Sequence, residues 1–415
     1  MFKSNFKASQ KKGQVDIIET PFSNIKIGGR FMRICFVANS FGIGGLERVV
    51  AALGEKLQVE GFAEIYYYSF SSQPVFWHLK EKDHFFKKSR QPTKADLLLT
   101  RSGKLIEMLS KGNFNINKYQ RDFISEIIKL INSKKLSILV VTSAQQIAAI
   151  PLIKKACPQI KIVAWLHQSC HAIFKLSKKF EYFFKEGLKI ADCIVTLTKE
   201  AHRFFSRLNK FSVLIVNPLL LDFHGRKAHF GTSKIAFVSR ITFDQGQKGL
   251  DFLAEIAKLL PAKYTIEIAG NGDQKNQRRF SKLIHKKGVA EKISWQGSKS
   301  GEDLLNHYTS SSAFISTSRT EAFSLVILEA MGAGLPVISF KTSGANELLQ
   351  DGISGKLIAN FNIEQFVHEL VEILRNEELF AHYQEASLKR AQDFRMTEVV
   401  NQWKKLLTEL NGKRS

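Results

Sequence analysis

The chain has 415 residues, 44% of them hydrophobic and 24% charged, enough for two or three ordinary domains at roughly 150 residues each. Collagen, coiled coil and wholesale disorder are excluded by that composition. Lys and Arg number 61 against 38 Asp and Glu, a net charge of +23, which favours an acidic partner such as nucleic acid, anionic lipid or a phosphorylated ligand. The excess sits in the first half: residues 1–210 carry 35 Lys/Arg and 16 Asp/Glu, net +19, whereas residues 211–415 carry 26 and 22, net +4.

Residues 1–31 are basic, polar and irregular, without the apolar stretch of a secretory signal, and read as an extension ahead of the first strand-like run. Short β-branched runs then alternate with segments of helical period, the pattern of parallel sheets covered by helices on both faces. In chain order the strand candidates are Arg33–Ala38, Glu64–Phe70, Leu136–Thr142, Lys161–Leu166, Cys193–Leu197 and Val213–Val216, then Lys234–Val238, Thr265–Ala269, Ile293–Trp295, Ala313–Ser316, Pro336–Ser339 and Gly355–Ile358. The series starts twice. Residues 217–232 hold Pro218, two glycines and no periodicity, which reads as a linker between a first domain over 32–216 and a second over 233–396. The predicted fold class is therefore α/β, with two Rossmann-like, doubly wound domains facing each other across a cleft. A helix over 397–415 follows, with Val400, Trp403, Leu407 and Leu410 at helical spacing. Residues 71–120 show no clean strand and read as loops and irregular helices.

Cys35, Cys157, Cys170 and Cys193 form no CxxC pair, so neither a disulfide framework nor a structural zinc site is expected, and a reducing cytosol fits. Cys170 and His171 lack a partner pair for a metal. No run of about 18 apolar residues occurs, so no membrane span is expected.

The motif with the most chemistry is Glu321-Ala-Phe-Ser-Leu-Val-Ile-Leu-Glu329-Ala-Met-Gly-Ala-Gly-Leu-Pro336, preceded by the strand AFIS. A strand delivers Glu321 to the ligand-binding edge of an open α/β sheet, and a helix opens near Ser324. The amides of Phe323, Ser324, Leu325 and Val326 can donate to a phosphate there, favoured by the helix dipole. A carboxylate at such a site repels phosphate and suits hydroxyls instead. Glu329, one to two turns in, suits the two hydroxyls of a ribose. In Phe237-Val-Ser-Arg240-Ile-Thr-Phe-Asp-Gln-Gly-Gln-Lys248-Gly249, Arg240 leaves a strand and Lys248 begins the next helix, so two cations can reach the same edge and match a diphosphate. Gly270 and Gly272 make a turn at another strand end. In the first domain, Gly42, Gly44 and Gly45 follow the first strand and let backbone approach a ligand. A dinucleotide fingerprint is not matched: GxGxxG is missing, and the second strand, ending YYYSF, brings no ribose-binding acid.

The segment from Glu321 to Pro336 resembles the Glu-x-x-x-x-x-x-x-Glu signature of retaining glycosyltransferases of the GT-B fold, in particular glycosyltransferase family 4. Ala322 and Ser324 stand where that family usually has Gly. Arg240 with Lys248, Ile268-Ala-Gly270-Asn-Gly272, GGLERVV from Gly44 onward and the strand-end His167 resemble further motifs of the family in the same order, over roughly residues 32–410. The resemblance implies transfer of a hexose, with retention, from a nucleoside diphosphate sugar, UDP by family tendency, to a lipid-linked saccharide of lipopolysaccharide or envelope polysaccharide. It implies no cofactor and no metal. It places Glu321 and His167 on the donor sugar, Glu329 on the ribose, Arg240, Lys248 and the amides of Phe323 to Val326 on the diphosphate, and Gly44, Gly45 and Gly270 beside the donor.

Phe174–Lys189 interleaves lysines with aromatics, and such a helix can lie on an anionic membrane. This implies an enzyme peripheral on the inner face of the cytoplasmic membrane. Two rival classes stand beside it: a noncatalytic nucleotide-sugar or glycan-binding partner of another transferase, although none of the charged motif residues is lost, and a nucleic-acid-binding protein, for which no recognised motif is present.

Overall fold

The computed structural model describes residues 32–42, 44–71, 75, 84–89 and 93–412; the expected extension over 1–31 lies outside them. Among the described residues thirteen strands form two sheets, and every pairing between named strands is parallel. The first contains β1 (Arg33–Ala38), β2 (Glu64–Ser69), β3 (Phe85–Lys87), β4 (Ile138–Val141), β5 (Lys161–Trp165), β6 (Cys193–Thr196) and β7 (Ser212–Leu214), in the order β3-β2-β1-β4-β5-β6-β7. The second contains β8 (Lys234–Val238), β9 (Thr265–Ala269), β10 (Ile293–Trp295), β11 (Ala313–Ser316), β12 (Val337–Phe340) and β13 (Lys356–Ile358), in the order β10-β9-β8-β11-β12-β13.

Central strands such as β4 (ILVV) and β11 (AFIS) are buried at every position, as a sheet packed by helices on both faces requires. Each order reverses beside its first strand, so each domain has a switch point where loops diverge and a ligand crevice opens at the strands' carboxyl ends.

Two expectations change. Residues 71–120 include a strand after all: β3 lies at the sheet edge and pairs Tyr67 with Phe85, and a three-residue edge strand carries too little alternation to be legible. They also include a regular helix, Lys94–Lys111, opened by a capping box in which Thr93 and Asp96 satisfy each other's backbone amides. None of its residues is buried.

The last helix, Met396–Gly412, returns to the first domain. Trp403 packs edge-on against Trp165 with centroids 4.7 Å apart, and Lys404 pairs with Glu60 at 2.5 Å. The domains also meet where Lys199 N donates to Glu347 at 2.6 Å and the hydroxyls of Thr198 and Ser343 lie 3.3 Å apart.

The Phe174–Lys189 segment is two helices, Cys170–Ser177 and Glu181–Ile190, joined by a 3-10 turn. Phe180 and Phe184 are buried in the first domain's core and Phe183 packs against it. Phe174 stacks among Phe184, Phe204 and Phe205. Of its rings, only that of Tyr182 is largely exposed, at 64%. Its lysines face outward because its rings fill the core.

Candidate functional site

At the carboxyl end of β8 the chain turns through Ser239 and Arg240 against the turn that follows β9. Ser239 N donates to Ala269 O at 3.0 Å and Ile241 N to Asn271 O at 2.9 Å. Gly270 has φ +147°, and a Cβ there would lie 1.8 Å from Ser239 O, so only glycine lets the turns lie together. Arg240 is exposed and forms no ion pair with a described residue.

The loop after Arg240 is held by the end of β11. Arg319 N donates to Gln247 O at 2.8 Å, its guanidinium reaches Gly246 O at 2.9 Å and Asp251 at 2.8 Å, and Thr317 Oγ1 donates to Lys248 O at 2.9 Å. This brace brings Lys248 Nζ to 3.0 Å from Glu321 Oε2, both side chains mostly buried. Lys248 does not begin the helix, as the sequence suggests. Gly249 is the cap, at φ +59° and too close to Thr317 O for any Cβ, and the helix runs Leu250–Leu259.

Glu321 O accepts from Gly344 N at 2.8 Å. The next helix is Leu325–Gly332, with Ser324 as its cap and both Phe323 and Ser324 buried. The β1 loop approaches from the first domain: a Cβ on Gly45 would lie 3.1 Å from Leu325 Cδ1. Gly44 caps the helix Gly45–Val59, one turn of which carries Arg48 across the cleft. Its Nη1 lies 2.5 Å from Glu329 Oε1, and Tyr308 OH donates to Glu329 Oε2 at 2.9 Å. Glu329 is 3% exposed, so a buried carboxylate has one partner from each domain. Burial and the neighbouring carboxylate hold the Tyr308 phenol well above its ordinary pKa, so it stays a donor.

His167 follows β5, its ring 4.3 Å from that of Trp165. Its Nε2 is buried with no partner among the described residues, and burial pulls its pKa down to about 3. It is therefore a neutral imidazole at any physiological pH. No hydrogen bond joins it to Glu321 or Lys248 among the described residues. The structure thus pairs Lys248 with Glu321, Gly45 with Leu325 and Gly270 with the Arg240 turn. Arg48 and Tyr308 are absent from the site read from sequence. GGLER contains Arg48, whereas nothing in the sequence around Tyr308 marks it.

Residues 226–390 match the family model described as Glycosyl transferases group 1. An uncharacterized glycosyltransferase of Haemophilus influenzae is 24% identical over 383 residues, 90% of this chain and 98% of that one. Among solved structures, the apo lipopolysaccharide outer core galactosyltransferase WaaB superposes with a TM-score of 0.70 at 16% identity, over 91% of this chain and 99% of that one. Anabaena HepE in complex with UDP and glucose superposes with a TM-score of 0.68 at 16% identity, over 91% and 100%. The two parallel sheets, the helical C-terminus and these matches define a glycosyltransferase of the GT-B fold.

Proposed function

We propose that the chain is a retaining hexosyltransferase that uses a nucleoside diphosphate sugar, UDP-hexose by preference, and delivers the hexose to a hydroxyl of a lipid-linked saccharide in envelope polysaccharide synthesis. The observation that carries this reading is the Lys248–Glu321 pair at the carboxyl edge of the second sheet, beside the start of Leu325–Gly332 and with Glu329 buried one to two turns further on. A cation for diphosphate, a carboxylate for hexose hydroxyls and a second for ribose are thereby carried by one strand-to-helix connection and the loop braced against it. The likeness to WaaB, a lipopolysaccharide galactosyltransferase, and to HepE, in complex with UDP and glucose, supports the substrate class.

In this reading the bond between the hexose anomeric carbon and the diphosphate oxygen breaks, and the acceptor oxygen bonds that carbon on the same face. The acceptor's proton passes to the departing diphosphate oxygen. Arg240, Lys248 and the amides of Phe323 to Val326 stabilise the charge that develops there. The neutral His167 exchanges one hydrogen bond with the hexose, satisfying its unpartnered Nε2, and Gly44, Gly45 and Gly270 give the donor room. The test is a panel of nucleotide sugars scored by hydrolysis and thermal stabilisation, because a ligand that binds only the native state raises its melting point. UDP-hexoses are expected to stabilise and be hydrolysed; no response to any nucleotide sugar would overturn the reading.

No Asp-x-Asp motif occurs in the sequence, and two cations plus helix amides suffice to balance a diphosphate. Turnover is expected to persist in EDTA. Complete loss restored by Mg²⁺ or Mn²⁺ would show that a metal carries that charge instead.

A further inference from the structure

The helix Lys94–Lys111 is mounted with its polar side inward. Facing the body, Glu107 accepts from Lys118 at 2.9 Å, from Tyr119 at 3.2 Å and from Asn115 N at 2.8 Å. On the same side Lys104 lies over the rings of Phe114 and Tyr119, 5.2 Å from each centroid, and Gly103 abuts Tyr119. At 3.6 residues per turn, the opposite arc carries Leu98, Leu99, Leu105, Ile106 and Leu109, which are 57–79% exposed. Lys94 and Arg101 lie on that arc as well, while the helix's two acids, Asp96 and Glu107, lie on the inner side. A packed surface helix places its apolar stripe toward the core; this one presents it to the outside, flanked by cations.

We propose that this face is the membrane-docking surface of the protein and that its partner is an anionic lipid bilayer. The leucines enter the boundary between headgroups and acyl chains while Lys94 and Arg101 remain at phosphate level. Charge decides the occupant. Residues 1–210 are net +19, and the surface around the helix continues cationic. Phe114 N donates to Lys179 O at 3.0 Å, so the exposed Lys178 and Lys179 of the neighbouring segment adjoin it, and Lys118, Arg121 and Lys129 line a groove beside it. An apolar arc on a surface with a net excess of lysine and arginine complements a negatively charged bilayer, to which each unpaired lysine or arginine adds attraction that salt screens. The proposal assigns to Lys94–Lys111 the apolar contact that the sequence suggested for Phe174–Lys189, whose rings are occupied in the core. It rests on the lipid-linked acceptor reading only for its purpose, since docking would hold the first domain where such an acceptor lies.

The experiment is cosedimentation of the full chain with vesicles of phosphatidylglycerol and phosphatidylcholine, against phosphatidylcholine alone, at low and high salt. The parent is expected to bind the anionic vesicles and to weaken with salt. Leu98→Gln, Leu105→Gln and Leu109→Gln together, at exposed positions where Gln keeps the helix, are expected to reduce partitioning by about 100-fold or more. Nucleotide-sugar hydrolysis in solution should be unchanged in that variant, and its loss in the parent would instead count against the proposed function alone. Failure of the parent to bind anionic vesicles, or equal binding by the triple variant, overturns the proposal. So does a parent dimer that the triple variant converts to monomer without any vesicle binding, because the face would then be occupied by a second copy.

Discussion

Glu321→Gln is expected to lower kcat by about 10²- to 10³-fold while UDP affinity holds or rises. Glu321 is the hydrogen-bond acceptor for Lys248. Neutralising it releases that cation, which remains beside the site for the diphosphate. The hydroxyl contact to the transferred hexose that we propose for Glu321 would be lost, and a contact to the reacting sugar acts on the transition state rather than on the nucleotide common to donor and product. Steady-state kinetics and calorimetric titration with UDP read the two effects apart. Equal loss of UDP affinity in Glu321→Gln and in a Glu329 variant would remove the division of roles between the two carboxylates.

Arg48 and Glu329 give the second large effect, with opposite signs for the two partners. Both oxygens of the Glu329 carboxylate are already engaged, by Arg48 and by Tyr308. In the proposed reading a ribose at Glu329 competes with Arg48 for the carboxylate, and a ribose that displaced Arg48 would release this contact between the domains. Glu329→Gln, which keeps an oxygen for Tyr308, is expected to weaken UDP binding. Arg48→Met, which keeps the stem but frees the carboxylate, is expected to tighten uridine binding by about 5- to 150-fold, the usual range of a coupling between two ligands of one group. It is also expected to destabilise the free protein, because removing one partner leaves a buried charge uncompensated, and uridine should restore part of the melting temperature. Weaker uridine binding in Arg48→Met would show that the arginine assists the nucleoside rather than competing with it.

The class of fold was legible because strand signals in a parallel sheet are local. Runs such as RICFVA, KIAFV and TIEIA are mainly apolar, with polar residues chiefly at their ends, since both faces are largely covered, and the structure has strands at those positions. The places of Glu321, Glu329 and Lys248 in the fold were legible for a related reason: they lie on or beside strand-to-helix connections, which are set within a few residues of chain. Lys248 was expected to begin its helix, which starts two positions later at Leu250, because the left-handed turn at Gly249 packs against the carbonyl of Thr317, 68 residues away in the chain.

What the sequence by itself determined, then, is which residues alternate, which strand ends bear charge and in what order they come. What only the tertiary structure decided is which of those groups meet. Arg48 reaches Glu329 across 281 positions, and Trp403 returns from the last helix to Trp165; neither contact leaves a periodic trace in the chain. The same holds for faces. Phe174–Lys189 and Lys94–Lys111 both mix apolar residues with lysines, and periodicity identifies an apolar side without saying what it touches. Burial against β-strands and neighbouring helices took the rings of the first segment into the core, while Glu107, anchored by Lys118 and Tyr119, turned the leucines of the second outward.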